Sequence, residues 1–196
     1  MFNSHAAGGY LIWELYPWKQ VFTDTRSTDI ASIVEYGFIS KAESGPAGER
    51  PGWARLLDMY GINFMVVAPQ DYYGGMDNLV KNLLENDRWA LVHYDPEYMI
   101  FVKNTDQNRE VIEKHGIRSQ DAYWMLIYKT SYMLMVNPKS PYLYATVGYC
   151  FEKLGKYDEA EKAYTHALKS LPQDKGLKEA LVRVSASAGA ARASTN

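Results

Sequence analysis

The residues able to do chemistry are few in this chain and lie far apart. Four histidines stand at 5, 93, 115 and 166, with no i, i+4 pair and no cysteine partner, so no metal-ligand spacing is spelled out. Cys150 is the one cysteine; it precedes Phe151 in an apolar helical pattern with no neighbouring base, which reads as a small core residue rather than a nucleophile. No Gly-x-Gly-x-x-Gly, P-loop or Gly-x-Ser-x-Gly elbow occurs, and Gly45, Gly48 and Gly52 fall in a Pro-containing loop with no strand before it. One polar constellation remains. Asn3 and His5 precede Gly8 and Gly9, a helix start whose free amides can hold an anion. Asp24 and Arg26 follow Val21, Phe22 and Thr23, the kind of strand end where open α/β sheets bind ligands. Two readings stand: a small polar pocket for a phosphate or sugar, or an Asp–Arg ion pair with helix capping. The sequence thus spells out no catalytic set and no cofactor or metal site.

Composition narrows the partners. The 196 residues carry 21 Lys and Arg against 23 Asp and Glu, a net charge of −2, which offers no broad basic surface to nucleic acid. With 47% hydrophobic residues, 16 Tyr and 5 Trp, the chain can build a substantial core. A single cysteine permits no internal disulfide, and no stretch approaches the roughly 18 apolar residues of a membrane span. Trp13, Trp53, Trp89 and Trp124 all lie on apolar faces and are expected in the core.

The elements that must position these residues fall into two parts. Residues 1–104 switch between short strand-like runs and helical patterns. A helix over Tyr10 to Tyr16 stops at Pro17, and Val21 to Thr23 reads as a short buried strand. Thr28 is placed to cap a helix whose Ile30, Ile33, Val34 and Phe38 share one face. Trp53, Leu56, Leu57 and Tyr60 mark a helix closed by Gly61; Phe64 to Ala68 is a covered strand; Leu79, Val80, Leu83 and Leu84 mark another helix. Trp89 to Tyr94 and Tyr98 to Val102 flank the turn Asp95-Pro96-Glu97 as a hairpin. This alternation predicts an α/β fold with a mixed, mostly parallel sheet carrying helices on both faces. From 105 to 190 only helical patterns remain, ending in a helix near Leu177 to Ser187, with 191–196 as a flexible tail.

Within the helical part, counting Pro141 as position one puts Tyr144 at four, Val147 at seven, Gly148 at eight and Phe151 at eleven. Ala160 then falls at twenty, Tyr164 at twenty-four, Ala167 at twenty-seven and Pro172 at thirty-two. Small residues at 148, 160 and 167 let two helices cross closely, and the aromatics fill the gaps alongside. Segment 141–174 resembles the tetratricopeptide repeat family, with its helix-turn-helix unit of roughly 34 residues. The helices over 106–136 make at best a degenerate repeat, and about 175–187 looks like the capping helix of a short stack. The resemblance implies a groove for extended peptides or partner helices, lined here by Tyr142, Ala145, Thr146, Tyr149, Glu152 and Lys153. Tyr142 and Tyr149 fit equally well as packing against the preceding helix.

A second resemblance covers roughly residues 2–104. Phe2-Asn3, Gly8-Gly9-Tyr10-Leu11-Ile12-Trp13, Leu15-Tyr16-Pro17 and Val21-Phe22-Thr23-Asp24-Thr25-Arg26 are similar to the soluble domain that follows the transmembrane helices in bacterial membrane proteins related to lipid-linked-sugar glycosyltransferases. That group usually has Gly where Thr25 stands. The resemblance implies membrane spans before Met1 and an extracytoplasmic, periplasmic location, a cytoplasmic adaptor being the alternative. Two functions are therefore expected to compete: a non-catalytic protein-interaction domain, and an accessory domain of a glycosyltransferase that helps bind acceptor or lipid-linked donor through Asn3, Asp24 and Arg26. The partner is a protein or peptide, or a lipid-linked sugar or glycan; nucleic acid is not expected, and membrane attachment would come only through segments outside this chain.

Overall fold

The computed structural model describes residues 1–26, 29–43, 45–46 and 48–193. Their contacts divide into two units: an α/β unit of Met1–Pro69 with Asp77–Ile117, and a helical unit of Gln70–Met76 with Arg118–Asn196. The boundary thus falls at 117/118 rather than at 104/105, because α5 (Arg109–His115) packs on a strand and Ile117 donates its N–H to the Leu91 carbonyl.

The α/β unit holds β1 (Phe2–Asn3), α1 (Gly8–Leu15), α2 (Ile30–Lys41), α3 (Gly52–Met59), β2 (Phe64–Val67), α4 (Asn78–Leu84), β3 (Trp89–Tyr94), β4 (Met99–Lys103) and α5. The strands form one mixed sheet in the order β1-β2-β4-β3. The expectation of a mostly parallel sheet is corrected here: β1 and β2 are parallel, whereas β2–β4 and β3–β4 are antiparallel. The hairpin turn at Asp95 brings β4 back between its neighbours, so the crossover that parallel pairing demands occurs only once. Phe2, Met65, Met99 and Phe101 on the strands and Ile39, Leu57, Leu79 and Leu83 on the helices are all buried.

Val21 to Thr23 is not a strand. The Asn3 side chain takes the hydrogen bonds a ladder would need: its amide oxygen accepts from Phe22 N–H at 2.8 Å, and its Nδ2 donates to the Thr23 carbonyl at 2.8 Å. Gly8 lets this loop lie against the start of α1, because a Cβ there would meet the backbone of Thr23 and Asp24. Thr28 lies outside the described residues; α2 is capped by Asp29, whose carboxylate accepts from Ala31 and Ser32 N–H. Gly61, at φ 59°, takes the left-handed turn that ends α3.

Two expected core faces lie open instead. Trp13 on α1 is 84% exposed, and Tyr10, Tyr16 and Trp18 beside it are also exposed. On α2 the Ile30, Ile33, Val34 and Phe38 stripe faces outward, because the helix is turned to bury Ile39 and to stack Tyr36 on Phe2 at 5.7 Å. Trp53 and Trp89 are buried as expected, and Trp124 is exposed along part of its surface.

The helical unit consists of α6 (Ser119–Val136), α7 (Pro141–Lys153), α8 (Tyr157–Ser170) and α9 (Lys175–Ala193), each packed on the next. Ser140 caps α7 and Pro141 opens it, the arrangement that suits a missing N–H and a fixed φ. Ala160, Ala163, Tyr164 and Ala167 are buried against α7 and α9, and Gly148 leaves the gap that the Tyr164 ring fills: a Cβ would lie 2.8 Å from it. α9 runs through Ala193, past Ser187 and into the stretch expected to be a flexible tail. Its run of alanines favours helix, Ala188 is buried, and Arg192 pairs with Asp158; residues 194–196 lie outside the description.

Candidate functional site

In the α/β unit the four polar residues near the N-terminus are spent on one another and on the backbone. Asn3 is fully buried, and its Nδ2 also donates to the Ser4 carbonyl. His5 Nδ1 lies 3.0 Å from Thr23 Oγ1. Arg26 grips Asp24 with Nε to Oδ1 at 2.9 Å and Nη2 to Oδ2 at 3.2 Å, and its backbone N–H donates to the same carboxylate at 2.8 Å. These bonds hold the Asp24 carboxyl below its ordinary range and raise the Arg26 guanidinium. The geometry is that of an ion pair clamping a loop, with Arg26 itself exposed.

In the helical unit the six groove positions do not gather around one opening. Ala145 packs on the core that Ala160, Tyr164, Leu177 and Val184 build between α8 and α9. Glu152 faces the same helices: Arg183 Nε and Nη2 donate to its two carboxylate oxygens at 2.6 and 3.0 Å, and Tyr164 Oη donates to Oε2 at 2.9 Å. Burial first, and then the adjacent Glu152 charge, push the Tyr164 hydroxyl far above its usual pKa. Tyr149 meets the edge of Tyr123 on α6 at 6.2 Å, and Lys153 Nζ sits 5.3 Å from the Tyr149 ring centre. Thr146 is buried and donates to the Gly74 carbonyl at 2.8 Å.

That last bond belongs to a strap, Gln70–Met76, which lies against α6 and α7. Asp71 Oδ1 accepts from Tyr73 and Gly75 N–H at 2.8 and 2.9 Å, and Gly74 turns the chain at φ 88°, where a Cβ would strike Leu143. Gln70 Nε2 donates to the Gly74 carbonyl and to Thr130 Oγ1, while Ser140 Oγ donates to the Tyr73 carbonyl. The strap occupies part of the face that the repeat resemblance assigns to a peptide.

Beside the strap, the end of α6 and the start of α7 enclose an open cleft of about 640 Å³, lined by Tyr72, Tyr73, Tyr132, Val136, Lys139 and Tyr142 among others. Of the expected groove residues only Tyr142 lines it. Its ring centre is 5.7 Å from Tyr73, which meets Tyr72 edge-on at 5.5 Å. Tyr72, Tyr73 and Tyr132 were not singled out in the sequence. The signal available was the run Tyr72-Tyr73-Gly74-Gly75, two aromatics set on a turn too tight to bury them.

A second cleft, of about 460 Å³, is lined by Asp158, Glu161, Lys162, His166, Lys169 and Arg192, with His166 stacked on Tyr144 at 4.9 Å. Its charges are mixed, and Arg192 is paired with Asp158. Among the described residues no group of three His, Cys, Asp or Glu is placed to hold a metal ion, and no helix is long and apolar enough to cross a membrane. Comparison with family models, curated proteins and solved structures found no match to this chain.

Proposed function

We propose that this chain is a non-catalytic protein-interaction module whose helical unit, a short tetratricopeptide-like stack, holds the partner. One observation carries the reading. The outer face of α6 leaves Tyr128, Tyr132, Met135 and Val136 exposed, and this face runs into the tyrosine cleft at the start of α7. A soluble surface rarely keeps so many large apolar side chains together without a partner. The binding face of this reading is therefore Tyr132, Tyr142 and the strap tyrosines, with Glu152 as a tie between helices.

The test is a photo-crosslinking amino acid placed at 132 in the native host, compared with the same group at Lys114 in the α/β unit. The expected outcome is one or a few discrete protein adducts at 132 and none at 114. A smear of equal intensity from both positions would remove the reading.

The second reading is an accessory domain of a membrane-bound, lipid-linked-sugar glycosyltransferase at the extracytoplasmic face, with layers of helix covering both faces of the sheet. It is favoured by the open aromatic face of Tyr10, Trp13, Tyr16 and Trp18, which suits a neighbouring apolar body. In the full-length protein Asp24→Ala would then reduce sugar transfer while the domain stayed folded; unchanged transfer would discard it.

A further inference from the structure

We propose that Arg50, Arg88 and Lys103 form a binding site for a phosphomonoester dianion at one end of the sheet. The site lies in the α/β unit and does not depend on the interaction reading of the helical one.

The argument starts from the charges around Asp58 on α3. Arg50 Nη1 donates to Asp58 Oδ2, and Lys103 Nζ donates to Oδ1 at 2.7 Å, so both oxygens of the carboxylate are taken. Arg88 is the third cation. Its carbonyl accepts from Asn104 N–H at 2.7 Å, and Trp89 beside it pairs with Lys103 across β3 and β4. Lys103 N–H in turn donates to the Asn63 carbonyl at 2.8 Å, which ties this strand end to the chain leaving α3. Three cations are thus gathered near one carboxylate. Glu49 and Asp87, the chain neighbours of Arg50 and Arg88, are exposed, and among the described residues they pair with none of the three.

The imbalance sits where water screens it poorly. The side chains of Arg50 and Asp58 are each 32% exposed and that of Lys103 28%. Burial first, and then the Arg88 charge, hold the Arg50 guanidinium below its ordinary pKa. Arg50 Nε is buried and has no acceptor among the described residues; Trp53 Nε1, three residues on, is a second buried donor without one. A folded chain rarely leaves such donors unpaired, because each gave up water for nothing. Surplus positive charge and unspent donors together describe a site for a ligand that brings negative charge and acceptors.

The class of ligand follows from the same groups. Two guanidinium forks and an ammonium suit phosphoryl oxygens. A surplus of two positive charges suits a phosphomonoester, which carries nearly two negative charges at pH 7, better than a diester or a carboxylate, which carries one. A small soluble monoester and a lipid headgroup ending in one share this chemistry.

The experiment is calorimetric titration of the whole chain, at fixed ionic strength, with phenyl phosphate and with phenyl sulfate, its singly charged counterpart. Co-sedimentation with phosphatidylcholine vesicles, with and without phosphatidic acid, runs beside it. Saturable binding of phenyl phosphate, or capture by the phosphatidic acid vesicles alone, is the expected result; the first assigns a soluble ester and the second a headgroup. In either arm Arg88→Gln, at an exposed side chain with no ion pair to lose, should weaken binding by about tenfold. Asp58→Asn removes the carboxylate that competes for the cations and should tighten binding by about threefold. Arg109→Gln, whose partner is Asp106 in the same unit, should leave affinity unchanged. Should Asp58→Asn lower the melting temperature, the Arg88 variant carries the test alone. Failure of both arms, equal affinity for phenyl phosphate and phenyl sulfate, or Arg88→Gln with unaltered binding overturns the proposal.

Discussion

Helices α2 and α8 carry the same apolar spacing to opposite outcomes. In α8, Ala160, Ala163, Tyr164 and Ala167 at i, i+3, i+4 and i+7 are all buried. In α2, Ile30, Ile33 and Val34 keep the same start of the pattern, yet Ile30 is 77% and Val34 64% exposed. The spacing identifies an apolar face in both cases; what covers it is a separate matter. For α8 the cover is the next element on either side in sequence, α7 and α9. The α2 helix spends its inward face on Ile39 and on the Tyr36 ring stacked over Phe2, and its aliphatic stripe stays outside. A repeat supplies its own cover locally, whereas a helix on a sheet depends on distant chain.

The sharpest way to break this contrast is to truncate one residue on each side. Tyr164→Ala should destabilise the helical unit by about 3–5 kcal/mol, read as a loss of chemical-denaturation midpoint. A cost near zero would mean that the α7–α8 crossing is not what holds the unit. Gly148→Ala pushes a methyl into the Tyr164 ring and should cost about 1–3 kcal/mol in the same assay. Arg183→Leu removes the two-bond grip on Glu152 at a half-exposed site and should cost about 1 kcal/mol, falling further at high salt.

The pH dependence follows from Tyr164. Its folded pKa is raised above the unfolded one, so the stability it lends is fully present below about pH 10 and is lost as pH rises beyond that. Tyr164→Phe should flatten that alkaline loss. On the other helix, Val34→Ser should change stability by less than about 0.5 kcal/mol and should improve solubility, measured by light scattering. A large loss at Val34 would show the open face to be covered in solution.

The periodic elements were legible because their signals are local. Strand β2, the β3–β4 hairpin, and the helices with Leu79 to Leu84 and with Ala160 to Ala167 stand where their patterns put them. The misplaced parts depend on distant partners. Strand β1 is two residues long and exists because Met65 and Val66 pair with it, which no local run of Phe2 and Asn3 announces. Val21 to Thr23 has strand composition but loses its ladder to one asparagine side chain. Of the residues that line the open cleft, Tyr142 holds a repeat position, whereas Tyr72 and Tyr73 come from a loop remote in sequence. Glu152 shows the converse: its position suggested a ligand contact, and Arg183, 31 residues away, claims it.

The strap has a topological consequence. Pro69 and Asp77 belong to the α/β unit, and the seven residues between them belong to the helical one, so the chain passes between the units at 69/70, at 76/77 and at 117/118. A single cut at 117/118 therefore does not yield two independent products. The N-terminal fragment keeps the strap, and the C-terminal fragment keeps its seat, with Thr146 Oγ1 still placed to donate to the Gly74 carbonyl and Thr130 Oγ1 to accept from Gln70 Nε2. The two pieces should co-purify after nicking, as a complementing pair rather than as separable domains.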